Sequence, residues 1–420
     1  MTHREVVLTG FGIVSPIGIG KESCWNSLVE QRSGADWVQS FDATTARCRI
    51  AAEICDFDPK QYIRPRKSMK VMSRDIQLAF AAAEMAMDDT GLTPEQGDPE
   101  RKGVIFGSDL IYTEVESVSD GYRSCLREGN FDYALWGTEA LANMTPLWLL
   151  KYLPNMPACH IGIAQDARGA NNSITVGDTS SLQAVIEAAH AIQRNQLDVV
   201  ITGGTGSPIN PTVYDFRGRG RFTQNETDPT KACRPFDRDR DGTFHGEGAA
   251  AFILESREHA ENRGADILAT VAGGCSRFAP DSTSDRGVAI RNSIEGALEE
   301  AGLRAEEIDH VNAHGIALRE EDQVEAQAIH SLLGDVPVIA PKSYFGNIGA
   351  GGGAVEMAVS LLAIQEGMLP VSLNYENPDP LCPVNVVSRA PRPIDKHGVL
   401  LLNQGRDGQA VAVVLRTKEK

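Results

Sequence analysis

Asp178 stands where this chain is best suited to present a reactive side chain. A β-prone run, 173–176, precedes it, and Gly177 supplies a turn. A helical pattern follows, with apolar residues at three- and four-residue spacing: Leu182, Val185, Ile186, Ala189 and Ile192. The start of a helix offers unpaired N–H groups and a partial positive charge, so an anion held there is stabilised. The spacing predicts a strand, a tight turn and a helix, with Asp178 at the elbow between them.

Two later runs carry residues for acid–base or hydrogen-bonding chemistry. His314 lies in V-N-A-H-G, directly after a predicted strand. Lys342 and Asn347 lie in P-K-S-Y-F-G-N, which precedes a glycine-rich tract and a predicted helix. An imidazole transfers protons near neutral pH, whereas an asparagine amide only forms hydrogen bonds.

Each of these residues also has a structural interpretation. Asp178 could simply cap its helix, which is typically worth about 1 kcal/mol. His314 could be a buried histidine in a strand-to-turn bend. Lys342 could be a buried cation paired with Glu325 or Asp178. If Asp178 and His314 approach each other, they could instead share general acid–base chemistry.

The composition is that of an ordinary globular protein. Of 420 residues, 42% are apolar and 23% are charged, which suits one large domain or two fused ones. The net charge of −17 argues against nucleic acid as the main partner. No apolar run reaches membrane-spanning length, and the first residues are expected to form a strand instead of a signal peptide. Eight cysteines without C-x-x-C pairs favour free thiols in the cytoplasm, and no metal site is predicted.

Strands and helices alternate along the chain, which predicts an α/β sheet buried on both faces. Strands are expected at 5–10, 199–204, 249–254, 267–272, 308–311 and 399–402, and helices at 77–90, 182–192, 287–301, 323–333 and 354–366. A boundary after 256 separates segments 1–256 and 257–420. The G-x-G after the first strand lacks the third glycine and the acidic residue of a dinucleotide site, so no cofactor is predicted.

These runs resemble motifs of the β-ketoacyl-acyl carrier protein synthases. The elbow falls on T-A-C-x-[ST], so the position of the family's acylated Cys is occupied by Asp178. His314 and Lys342 match the family's first catalytic His and its Lys, and Asn347 falls on its second His. The runs 9–34 and 234–248 also match, so the resemblance extends over nearly the whole chain.

The resemblance implies a thiolase-like fold of five α/β/α/β/α layers built from two related halves. It implies a role in fatty acid or polyketide-type biosynthesis, as a homodimer or as a heterodimer with a Cys-containing ketosynthase. Within the basic cluster 62–70, Arg66 and Lys67 are candidates for docking an acyl carrier protein. That cluster could equally be a solvated face.

Departures from the family pattern change the expected chemistry. A thiolate accepts an acyl group as a thioester, whereas a carboxylate is a poor nucleophile toward thioesters. The family's hydroxyl residues after the first His are replaced by 316–318, and its Phe-bearing gate loop by 403–409, which lacks Phe. Ile316, Leu318 and Arg406 are therefore the candidate substrate contacts.

Three functions stay open. The first is a partner subunit like a chain-length factor, which does not condense and shapes the acyl tunnel of an active synthase. The second is an enzyme acting on carrier-bound or coenzyme A-bound acyl thioesters by hydrolysis or proton transfer, through Asp178 and His314. The third is a decarboxylase, which is disfavoured because family members that keep this half-reaction without the Cys keep both His residues.

Overall fold

The computed structural model of the protein describes residues 4–225, 227–279 and 283–417. The longer helices are α1 (Lys21–Val29), α2 (Arg74–Thr90), α3 (Val115–Ser124), α4 (Met156–Ala164), α5 (Ser180–Gln193), α6 (Thr283–Ala301), α7 (Arg319–Leu333) and α8 (Gly352–Glu366). The main strands are β1 (Val6–Ser15), β2 (Lys102–Gly107), β3 (Asn171–Ile174), β4 (Val199–Gly206), β5 (Gly248–Ser256), β6 (Ala269–Phe278), β7 (Ile308–Asn312), β8 (Pro337–Ile339), β9 (Gly398–Gln404) and β10 (Gln409–Arg416).

Short helices and strands connect or flank these main elements. The short helices are Leu141–Asn143, Tyr214–Gly218, Arg257–Asn262 and Lys342–Phe345. The short strands are Gly18–Ile19, Asp36–Trp37, Ile50–Ala52, Leu126–Arg127, Asn130–Phe131, His245–Gly246, Met368–Leu369, Asn385–Val386 and Arg392–Pro393.

The main strands form two half-sheets with the same topology. Across the N-terminal half the order is β1-β5-β4-β2-β3, and across the C-terminal half it is β6-β10-β9-β7-β8. In each half the first two neighbouring pairs are antiparallel and the next two are parallel. The halves join where β1 pairs with β6. Topology therefore reveals the related halves that residue identities do not.

The helices and half-sheets stack in five layers. Helices α5 and α8 pack on each other between the half-sheets, where α8 is buried from Gly352 to Ala363. On the outside, α2 and α4 cover the N-terminal half-sheet, and α6 and α7 cover the C-terminal half-sheet. The thiolase-like fold expected from the sequence is confirmed.

Most predicted elements are present with shifted ends. The strand expected at 173–176 runs over Asn171–Ile174, and the helix expected at 77–90 starts at Arg74. Gly91 ends that helix in a left-handed conformation, as its position indicated. All eight cysteines are free thiols, as expected. Among the described residues no helix combines the length and apolar character needed to cross a bilayer.

Two adjacent glycines at the start of α8 test how tightly the central layer is packed. A Cβ at Gly353 would lie 2.1 Å from Asn403 Oδ1, whereas a Cβ at Gly352 would meet nothing within 4 Å. We expect Gly353→Ala to lower the free energy of unfolding by about 1–3 kcal/mol through overpacking.

Gly352→Ala is the matched control. Gly352 has helical backbone angles, so alanine should raise the free energy of unfolding by about 0.4–1 kcal/mol. Urea denaturation of both variants checks the pair. Equal effects of the two substitutions would contradict the close approach at Gly353.

Candidate functional site

The elbow is built by a sharp turn between β3 and α5. Gly177 has φ 63°, and Gly177–Thr179 forms a single 3-10 turn before the helix begins. The hydroxyl of Ser180 accepts a hydrogen bond from Val176 N (2.9 Å) and donates to Gly177 O (2.6 Å). The alternative in which Asp178 acts only as the helix N-cap is wrong, because Thr179 holds that position and no side chain of the described residues caps the helix. The side chain of Asp178 is thus free to face another partner.

Asp178 meets two partners at the elbow. Asn347 Nδ2 donates a hydrogen bond to Asp178 Oδ2 at 3.2 Å. Arg221 Nη1 lies 3.8 Å from the same oxygen. The Asp178 side chain is 17% exposed, so solvent or a small ligand still reaches it.

Asn347 occupies the position in the C-terminal half that corresponds to Asp178 in the N-terminal half. Asp178 lies between β3 and α5, and Asn347 lies between β8 and α8. The Asn347 backbone N–H donates to Phe244 O at 2.8 Å, and its Oδ1 accepts from Gly349 N at 3.1 Å. These bonds fix the amide, so its N–H points to the Asp178 carboxylate.

His314 and Lys342 form a second, fully buried cluster. Lys342 Nζ contacts His314 Nδ1 (3.2 Å) and His314 O (2.9 Å) and forms an ion pair with Glu356. Because an ammonium has only donors, His314 Nδ1 accepts and Nε2 carries the proton. His314 Nε2 is buried and has no partner among the described residues. This N–H is therefore an unsatisfied donor within the described part of the chain.

The surroundings keep His314 neutral. Burial, reinforced by the positive charges of Lys342, Arg221 and Arg286, holds the pKa of His314 well below its usual range. The backbone N–H groups of His314 and Gly315 both donate to Glu325. The alternative in which Lys342 pairs with Glu325 or Asp178 is wrong. Glu325 accepts the two backbone hydrogen bonds, and the Lys342 ammonium forms its ion pair with Glu356. Burial raises the pKa of Glu325 to about 8.

A cavity of about 450 Å³ opens at the elbow, and it does not contain every predicted site residue. Asp178, Asn347 and Arg406 line it, together with Arg217, Arg221 and His245. His314 and Lys342 lie outside its lining, and no hydrogen bond joins Asp178 to His314 within the described chain. Ile316 is buried and Leu318 is half-buried, both also away from this lining. Substrate contact by Ile316 and Leu318 stays a prediction.

Sequence reasoning missed Arg221, which lines the cavity and lies beside Asp178. Its guanidinium holds Glu321 through two oxygens at 2.9 and 3.1 Å, and it is close to Asp178. Arg286 lies 3.9 Å from Glu321 and donates to the backbone carbonyl of Arg406. Arg221 sits in an arginine- and glycine-rich loop 43 residues beyond the elbow in the chain, and no periodic pattern signals its position.

The predicted docking residues lie on a separate surface. Arg66 and Lys67 are exposed in the 3-10 helix Arg66–Val71, and neither forms an ion pair within the described chain. The described residues include no cluster of His, Cys, Asp or Glu arranged to hold a metal ion.

Comparison with known proteins places these features in a family. Residues 3–260 match the β-ketoacyl synthase N-terminal domain, and residues 268–376 match its C-terminal domain. The chain belongs to the β-ketoacyl synthase family. The elbow lies within the first matched range, and His314 and Lys342 lie within the second.

Similar proteins come from polyketide and fatty acid synthesis. The ketoacyl synthase alpha subunit of the tetracenomycin polyketide synthase of Streptomyces glaucescens is 34% identical, over 99% of this chain and 98% of its own. The solved ishigamide ketosynthase/chain length factor has a TM-score of 0.85 at 28% identity, over 99% of this chain and 100% of that one. A ketosynthase structure bound to a hexaketide, in complex with its type II acyl-carrier protein, has a TM-score of 0.83 at 25% identity, over 99% and 100%.

The neutral state of His314 gives a pH prediction. The pKa of the His314 imidazole is near 6.5 in the unfolded chain and well below that in the folded protein. The contribution of His314 to the free energy of unfolding therefore falls as the pH falls below about 6.5. Between pH 7.5 and 5.5 that loss is about 1.4 kcal/mol. Because His314→Asn removes the titrating group, the difference in unfolding free energy between wild type and variant should shrink by this amount.

Urea denaturation of both proteins at the two pH values measures this difference. The remaining histidines titrate in both proteins and cancel in the comparison. A difference that stays constant or grows on acidification would contradict a neutral, buried His314.

Proposed function

We propose that this ketosynthase homologue is a non-condensing partner subunit, which pairs with a Cys-containing ketosynthase and shapes the cavity for its acyl chain. The observation that carries the proposal is the hydrogen bond from Asn347 Nδ2 to Asp178 Oδ2. The two positions that resemble the family's nucleophile and second His satisfy each other here. The elbow therefore lacks both an attacking thiolate and a proton-transferring imidazole.

The chemistry of the cavity supports this proposal. Condensation requires a thiolate that can take an acyl group as a thioester. No cysteine lines the cavity among the described residues. The Asp178 carboxylate is a weak nucleophile, and the hydrogen bond from Asn347 and the nearby Arg221 weaken it further.

An exposed surface supports a protein partner. Strand β3 is the outermost strand of the N-terminal half-sheet, and α4, which contacts it, exposes Ile163 (80%). Tyr133 (84%) and Leu147 (65%), in the segment before α4, are also exposed. Unpaired strand edges and contiguous apolar patches are typical of interfaces. The similar ishigamide protein is a ketosynthase/chain length factor. A ketosynthase subunit is the partner we propose for this face.

One observation favours the alternative, an enzyme acting on acyl thioesters. The His314 Nε2–H is buried without a partner, as a donor to a thioester oxygen would be before the ligand binds. Asp178 would then have to act as the base, but its contacts are with Asn347 and Arg221 instead of His314. The partner subunit therefore accounts for more of the site.

Replacing Asp178 with cysteine tests whether the elbow lacks only a thiolate or also a proton-transferring imidazole. After incubation with an acyl-carrier protein thioester, intact-mass spectrometry should show no acyl adduct on the wild type. Asp178→Cys should gain one acyl group, because the helix N-terminus favours the thiolate. It should still form no condensed product and release no carbon dioxide from malonyl thioester, since Asn347 cannot replace the imidazole.

Asp407→Cys is the matched control, because it changes another carboxylate of the same cavity away from the elbow. It should stay unmodified. Wild-type turnover to free acid or carbon dioxide that disappears in Asp178→Asn or His314→Ala would overturn the proposal and establish the alternative enzyme.

We further propose that Arg66 and Lys67 dock an acyl carrier protein. Both side chains are exposed and form no ion pair with the described residues, and the chain is otherwise acidic, so the pair can meet an acidic partner. Arg66→Glu/Lys67→Glu should weaken carrier binding at least about tenfold in calorimetry, with the loss fading at high salt. Arg389→Glu, at another exposed arginine, is the control. Equal weakening by this control would assign the effect to net charge and contradict docking at the pair.

A further inference from the structure

A second cavity, of about 570 Å³, adjoins the elbow cavity. The two share Pro208, Arg217 and Gly349 in their walls. Part of its lining is apolar, from Phe41, Ile54, Leu110, Ile111, Ile209 and Ile348. An alkyl chain would require contacts with these apolar residues alone, so it would not account for the polar part of the wall.

The rest of the wall carries an excess of carboxylates. Its acidic residues are Glu53, Asp75, Asp109, Glu114, Glu116 and Glu247, against the two cations Arg74 and Arg217. Both cations are already paired: Arg74 binds Glu247 through two hydrogen bonds of 2.8 and 3.1 Å, and Arg217 binds Asp109 at 2.5 Å. The cavity therefore holds uncompensated negative charge beside apolar surface.

Asp75 is the carboxylate with the most to gain from a cation. It accepts a hydrogen bond from Ser207 N at 2.8 Å and forms no ion pair within the described chain. Burial, together with repulsion from the nearby carboxylates of Glu247 and Asp109, raises the pKa of Asp75 to about 7. A positive ligand group beside Asp75 would relieve both the burial of its charge and this repulsion.

A second polar group of the same wall is also unused. Ser73 is the N-cap residue of α2, where a serine hydroxyl usually bonds a backbone N–H of the first turn. Here it makes no such bond, and Ser73 Oγ, in a side chain only 3% exposed, has no partner among the described residues. Two residues from Asp75, it is an acceptor available to a donor on a ligand.

We propose that this cavity binds a ligand with a protonated amine at the end of an apolar chain, with Asp75 as counter-ion and Ser73 as a second acceptor. The ammonium supplies the positive charge and N–H donors that the acidic wall lacks. The apolar residues of the cavity cover the chain. This inference concerns the ligand of the adjoining cavity and holds whether or not the elbow catalyses a reaction.

Calorimetry on the full chain with two probes of equal length, n-octylamine and n-octanol, tests the proposal. The wild type should bind octylamine at least about tenfold more tightly than octanol, since only the amine can form an ion pair with Asp75. Asp75→Asn keeps an acceptor for Ser207 N and should abolish this preference. Its affinity for octanol should stay unchanged, which also shows that the variant is folded. Ser73→Ala should reduce the preference without removing it.

Asp335→Asn is the control for net charge, because Asp335 is exposed and does not line the cavity. It should retain the full preference for octylamine. Equal binding of the two probes to the wild type would mean that the cavity takes plain or hydroxylated chains, and would overturn the proposal. A preference that persists in Asp75→Asn, or falls equally in Asp335→Asn, would also overturn it.

Discussion

The enclosure of α5 and α8 between two half-sheets governs the rest of the structure. The strands approach these helices so closely that side chains are excluded at the contacts. A Cβ at Gly204 would lie 2.5 Å from Ser181 Cβ of α5, and one at Gly206 would lie 2.0 Å from Ile348 O in the turn that precedes α8. The two helices cannot shift without separating the layers. Their N-terminal ends, near the elbow cavity, are the part of the central layer that a ligand can reach.

This arrangement concentrates the chemistry of the chain at one point. The N-terminal half contributes the connection between β3 and α5, and the C-terminal half contributes the connection between β8 and α8. The two connections meet at the N-terminal ends of both helices, where the partial positive charges favour an anion. The Asp178 carboxylate takes that place, with Asn347 and Arg221 as its partners. Glu356, on α8, anchors Lys342, which in turn sets the tautomer of His314. The elbow and the buried histidine cluster are therefore held by the same central layer.

Sequence patterns predicted the fold more fully than the site. The elbow, the strand before His314 and the helices after Gly177 and Gly353 follow from apolar spacing and turn residues, which act locally. The partners of the charged residues cannot be predicted from such local patterns. Lys342 and Glu356 meet only through tertiary packing, and Arg221 approaches Asp178 from a loop without periodicity. The unused hydroxyl of Ser73 was equally hidden, since an N-cap serine normally bonds its own helix. The two related halves, which the family resemblance implied, become visible in the strand order and not in residue identities.

The open edge of β3 also bears on how the cell must handle this chain. An unpaired edge beside exposed apolar side chains is a template for unwanted strand addition, so leaving this edge uncovered favours aggregation. If partner binding covers that edge, the apparent stability of the chain rises with the concentration of the partner, by mass action. Balanced synthesis of the two subunits would then be a condition for accumulating either one.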